Sequence, residues 1–125
     1  MKKFSRYALF ACLAVLLSGC AVQHVPATLQ PLAGTVTLQR VVTTALEVQL
    51  PTGYTRTLRA GSVWRLAGVL PQGEVYRPVG DVFTVEGAHI HEAYLVVKSD
   101  TLVGFYLPAE RAFSPVAKPI PLAFQ

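Results

Sequence analysis

Glu86, His89, His91 and Glu92 are the densest group of chemistry-bearing side chains in this sequence. On a strand, residues two apart face the same way, so His89 and His91 would offer two imidazoles to one metal ion. A third ligand is missing. Glu92 faces away from the pair in a regular strand, and Glu86 reaches their side only if the chain bends at Gly87. Two partly buried histidines bonded to backbone or to Glu86 would serve structure alone. His24 stands far away in the chain, in a stretch read as a solvated linker. For hydrolysis, Ser62, Ser99 and Ser114 occupy turn contexts outside any nucleophile motif. No glycine-rich phosphate loop is present, and no cofactor is expected.

A His-x-His pair on a strand of a small barrel is similar to that of the cupins. The cupin pattern needs a glutamate four or five places later, where Leu95 and Val96 stand, and a further histidine that this sequence lacks. A stronger resemblance lies at the N-terminus. Lys2, Lys3 and Arg6 precede an apolar run from Tyr7 to Leu17, too short to span a bilayer, which needs roughly 20 apolar residues. The run ends in Leu17-Ser18-Gly19-Cys20, which resembles the lipobox of bacterial lipoproteins. The resemblance implies diacylglycerol on the Cys20 thiol, cleavage before Cys20 and acylation of the new amine. Ala21, in place of an aspartate, implies delivery to the periplasmic face of the outer membrane; in a Gram-positive source it would be the cell membrane.

That leader also explains the charge. The formal net charge is +4, but three of the 11 basic residues lie in the leader, and the rest are scattered singly among seven acids. No basic stripe remains to neutralise phosphates, so no nucleic-acid partner is expected. Cys12 would leave with the leader and Cys20 would carry lipid, which leaves no pair for a disulfide.

The chain therefore divides into a signal segment 1–19 of helical character, a lipidated N-terminus and extended tether 20–33, and one domain 34–125. Ala21 to Pro31 contains two prolines and no charge. Fully extended, it would hold the domain up to roughly 30 Å from the lipid. Beyond Gly34, short Val-, Thr-, Leu- and Tyr-rich runs broken by Pro and Gly predict an all-β domain, a small antiparallel barrel or sandwich of about six to eight strands.

Thr35 to Val42 alternates polar and apolar residues and reads as a first strand. Leu50-Pro51-Thr52-Gly53 and Leu70-Pro71-Gln72-Gly73 carry the same turn chemistry, predicting hairpins 45–50 with 54–59 and 62–70 with 74–79. Trp64, Leu66 and Leu70 share one face, and Trp64 belongs in the core. Val82 to Lys98 reads as one long strand with a bulge or corner at Gly87. Ser99-Asp100 turns it back into Thr101 to Leu107, apolar on both faces and therefore covered on both. Pro108, Pro115, Pro119 and Pro121 argue against a central strand beyond Leu107. A helical turn at 108–113 and an edge strand at 120–124 are expected instead.

Tyr76, Tyr94, Phe105, Tyr106 and Arg111 are the candidate interaction surface, since aromatics on an outer face suit an interface. The sequence thus points first to a non-enzymatic lipoprotein that binds an envelope protein partner and is held in the membrane by acyl chains. A metal-binding protein or metal-dependent enzyme using His89 and His91 is the alternative. An inhibitor or small-ligand lipoprotein comes last, because such proteins usually rely on a disulfide.

Overall fold

A computed structural model describes residues 24–32, 34 and 38–125; the signal segment and Cys20 lie outside the described residues. The described chain is all-β and contains no helix. Its strands are β1 (Val25–Pro26), β2 (Gln39–Val41), β3 (Leu46–Gln49), β4 (Thr55–Leu58), β5 (Val63–Leu70), β6 (Gly73–Pro78), β7 (Thr84–Glu86), β8 (Ile90–Glu92), β9 (Tyr94–Lys98), β10 (Thr101–Leu107) and β11 (Ala112–Pro121).

Turn chemistry sets the local pairings. Pro51 and Gly53, the latter at φ 90°, close the β3–β4 hairpin, in which Leu50 N–H donates to the Tyr54 carbonyl at 2.8 Å. Pro71 and Gly73 do the same between β5 and β6, with Leu70 opposite Gly73. Ser99 and Asp100, at φ 50° and 56°, form the tight turn that places Thr101 opposite Lys98 and Tyr106 opposite Tyr94. Two positive φ values in a row match the twist of antiparallel strands.

These hairpins assemble into a seven-stranded antiparallel sheet of order β1-β11-β10-β9-β6-β5-β2. The two edges then meet. Val42 pairs with Phe124 just beyond β11, and Val41 and Gln125 exchange both backbone hydrogen bonds, at 2.6 and 2.9 Å. At the other end of the seam, β1 lies along Ala112 and Phe113 while Gln30 pairs with Val69 of β5. The sheet therefore closes on itself as a small barrel, sealed by a strand split between residues 25–30 and 38–42.

The interior holds Val42, Trp64, Tyr76, Phe83, Leu95, Leu102, Phe105, Leu107 and Phe124, with Leu50 and Leu58 of the β3–β4 hairpin capping it. Trp64 is buried as expected, and its indole N–H donates to Ser62 Oγ at 3.0 Å. Leu70 departs from its expected place. A register shift between Leu66 and Gly68 reverses the alternation, so Leu66 packs inward while Leu70 joins a second cluster with Val75, Val96, Tyr106 and Phe113.

That second cluster lies on the opposite face of the ladder, and Ala27 and Leu29 pack over it. Here the reading of 20–33 as a tether needs correction. Residues 25–30 are extended, yet they run along the domain, because the apolar outer face of β9, β10 and β11 needs a cover. Gly68 permits this approach: a Cβ there would collide with the Gln30 carbonyl oxygen and the Leu29 side chain.

Two further expectations are overturned. Gly87 is not a bulge within one strand but part of the turn between β7 and β8, where its N–H donates to the His89 carbonyl at 2.9 Å. The proline-rich tail forms no helical turn. Pro108 to Arg111 is a turn closed by Arg111 at φ 51°, and β11 is a ten-residue strand along β10. Leu122 N–H donates to Asp100, so alternation points the Pro121 nitrogen to the outer edge, where no ladder bond is lost.

One arginine ties the seam together. Arg40 of β2 donates to Asp100 Oδ1 at 2.8 Å and to the Phe124 carbonyl at 2.7 Å, and its guanidinium lies 4.4 Å from the Phe124 ring centre. Burial works against its charge, but the Tyr76 hydroxyl and Asp100 outweigh this and raise its pKa above the ordinary value.

Candidate functional site

His91 sits in β8 opposite Val85, with its side chain only 9 % exposed. Its Nδ1 lies 2.7 Å from Glu110 Oε1 in the β10–β11 turn. Burial alone would raise the Glu110 pKa. The hydrogen bond from His91, a backbone hydrogen bond and the charges of His91 and His24 overcome that, and hold the carboxyl below its ordinary value. An ionised carboxylate can only accept, so Nδ1 carries the hydrogen and a neutral His91 keeps its lone pair on Nε2.

His89 is not on the strand with His91. It stands in the exposed β7–β8 turn, and the two rings are 6.5 Å apart, centre to centre. The expectation that strand periodicity aligns the pair therefore fails, although the hairpin keeps them neighbours. Glu86, at the end of β7, and Glu92, at the end of β8, are both exposed.

His24 is the unexpected arrival. The expected place of His24 is a solvated linker, yet its ring meets His91 edge to face at 5.3 Å between centres. Docking of β1 against β11 brings it there, so His24, His89, His91 and Glu110 gather at one end of the barrel. No local pattern links residues this far apart. Among the described residues, no three His, Cys, Asp or Glu side chains already stand close enough together to hold an ion.

The aromatic surface is not assembled as expected. Tyr76 and Phe105 are 1 % and 0 % exposed within the barrel, while Tyr106 is buried in the outer cluster beside half-buried Tyr94. Adjacent residues on a strand face opposite sides, which separates Phe105 from Tyr106. Only Arg111 of the five is exposed. Ser114 is fully buried in β11 rather than in a turn, and its hydroxyl has no partner.

A cleft of about 280 Å³ opens elsewhere, between β4, the start of β5 and residues 78–83. Trp64 and Phe83, edge to face at 5.4 Å, line its apolar side. Arg56 lies over Phe83 at 4.5 Å, and exposed Arg59 pairs with Asp81 at 3.2 Å. Comparison with protein-family models, curated proteins and solved structures gives no match. The reading of function therefore rests on the chain's own residues.

Proposed function

We propose that this protein is a non-enzymatic binding module of a bacterial cell-envelope assembly, held at the periplasmic face of the outer membrane by lipid on Cys20. The lipobox-like Leu17-Ser18-Gly19-Cys20 carries the reading. The place where the barrel begins sharpens it. Only four residues lie between Cys20 and Val25, the first residue of β1, a distance of five Cα–Cα steps. That length spans at most roughly 18 Å, against the roughly 30 Å expected of a free tether. A lipidated Cys20 would thus hold the end of the barrel bearing His24, His91, Glu110 and Arg111 close to the bilayer, and leave the opposite end facing the periplasm.

Two or three acyl chains make such an anchor effectively permanent, since each buried methylene contributes about 0.8 kcal/mol. A closed barrel also lacks the long free edge that invites indiscriminate strand pairing. The test is a photo-crosslinking residue placed in cells at exposed Lys98, beside the β9–β10 turn at that opposite end. A discrete adduct that disappears in Cys20→Ser supports the reading. A protein that forms no adduct and runs as an isolated species after detergent extraction removes it.

A further inference from the structure

We propose that His24, His89 and His91 form a binding site for a transition-metal dication of the zinc or copper class, with Glu110 as the carboxylate that orients His91. This site is independent of the lipid anchor and of any envelope partner.

The His91 ring is fixed by burial and by the bond from Nδ1 to Glu110 at 2.7 Å. A ligating histidine commonly donates its other ring N–H to a carboxylate, which fixes the tautomer and makes the free nitrogen a better donor. Glu110 stands in that relation to His91, with Nε2 free for an ion. His24 supplies the spacing. Two imidazoles on one tetrahedral zinc, with Zn–N about 2.1 Å, place their ring centres roughly 5.2 Å apart. The His24 and His91 centres are 5.3 Å apart.

His89 is the incomplete part. Its ring centre is 6.5 Å from that of His91, so the three rings do not yet converge. It is exposed and lies in the β7–β8 turn, so its side chain can turn toward an ion held by His24 and His91 without moving a strand. Three imidazoles and an open fourth position make a site of the kind that keeps water or an exogenous ligand on the ion. Thiolates are absent from it, so selection would follow imidazole chemistry: copper and zinc above manganese or magnesium.

An edge-to-face contact between His24 and His91 that serves only to dock the N-terminal segment is the competing explanation. Metal titration separates the two. The full chain is purified in detergent without a polyhistidine tag, stripped with chelator and titrated with zinc at neutral pH against a chromophoric competitor. One equivalent should bind per chain. Glu110→Gln should weaken binding by roughly 10- to 100-fold, the usual effect of removing an orienting carboxylate. The double variant His24→Ala/His89→Ala should lose the site, and since both residues are exposed its circular dichroism should match the parent. X-ray absorption of the loaded parent should report imidazole nitrogens near 2.0–2.1 Å. Zinc binding by the double variant as tight as by the parent, or no binding by the parent, would overturn the proposal.

Discussion

Docking of residues 25–30 on the barrel depends on the space left at Gly68, and Gly68→Ala tests it. The added methyl group would meet backbone at Gln30 as well as the Leu29 side chain, so a side-chain rotation alone cannot relieve the clash. Residues 29–30 must lift from β5. Two hydrogen bonds then go, Gln30 N–H to the Val69 carbonyl and Val69 N–H to the Gln30 carbonyl, each at 2.9 Å. Such bonds contribute about 0.5–1.5 kcal/mol each, net of water. Leu29 is partly buried against the outer cluster, and loss of that contact costs about 1 kcal/mol. The expected total is about 2–4 kcal/mol, within the 5–15 kcal/mol that typically separates folded from unfolded chains. Urea denaturation measures it, and hydrogen exchange at Gln30 and Val69 localises it. Gly61→Ala is the control, because Gly61 has φ 85° and open space around it. That variant should cost about 1 kcal/mol of backbone strain and leave both amides protected. A Gly68→Ala protein within about 0.5 kcal/mol of the parent, with both amides protected, would refute the docking.

Three further perturbations probe the seam and the interior. Arg40→Ala removes a charged donor from the Phe124 carbonyl and a cation–π contact and should cost about 2–4 kcal/mol in thermal or urea melts, whereas Asp100→Asn should cost at most about 1 kcal/mol because Asp100 is 67 % exposed. Ser114→Ala discards a buried hydroxyl with no partner and should leave stability within about 1 kcal/mol of the parent or raise it. Burial pushes the Tyr76 phenol above its ordinary pKa of 10.0, with the Arg40 hydrogen bond opposing and Glu74 adding to the rise. A raised folded-state pKa means stability is fully present below pH 10.0 and lost as pH rises through the folded value, so Tyr76→Phe should flatten the alkaline fall in urea midpoint.

What the sequence disclosed was local. Pro51 with Gly53, Pro71 with Gly73, and Ser99-Asp100 each fix a turn through their own backbone preferences, so three hairpins were predictable within a residue or two. Trp64 and the doubly apolar β9–β10 ladder followed from alternation. Gly87 misled because a glycine within an apolar run suits a bulge and a hairpin turn equally well, and only the pairing of Val85 with His91 distinguishes them. The prolines of β11 argued against a strand because the sequence does not show which edge their nitrogens face. Register shifts at Gly68 and Gly104 reverse the inward face, so Leu70 could not be placed by counting in twos. The meeting of His24 with His91, and of Glu110 with His91, is created by closure of the barrel and leaves no trace in local spacing.

The central claim is that Cys20 fastens this barrel to a membrane, and labelling with palmitate in the native host tests it most directly. The parent protein should take up label and migrate as the mature form, while Cys20→Ser should accumulate as an unprocessed, unlabelled precursor. A Cys20→Ser protein that matures normally, or a parent that takes up no palmitate, would contradict the account.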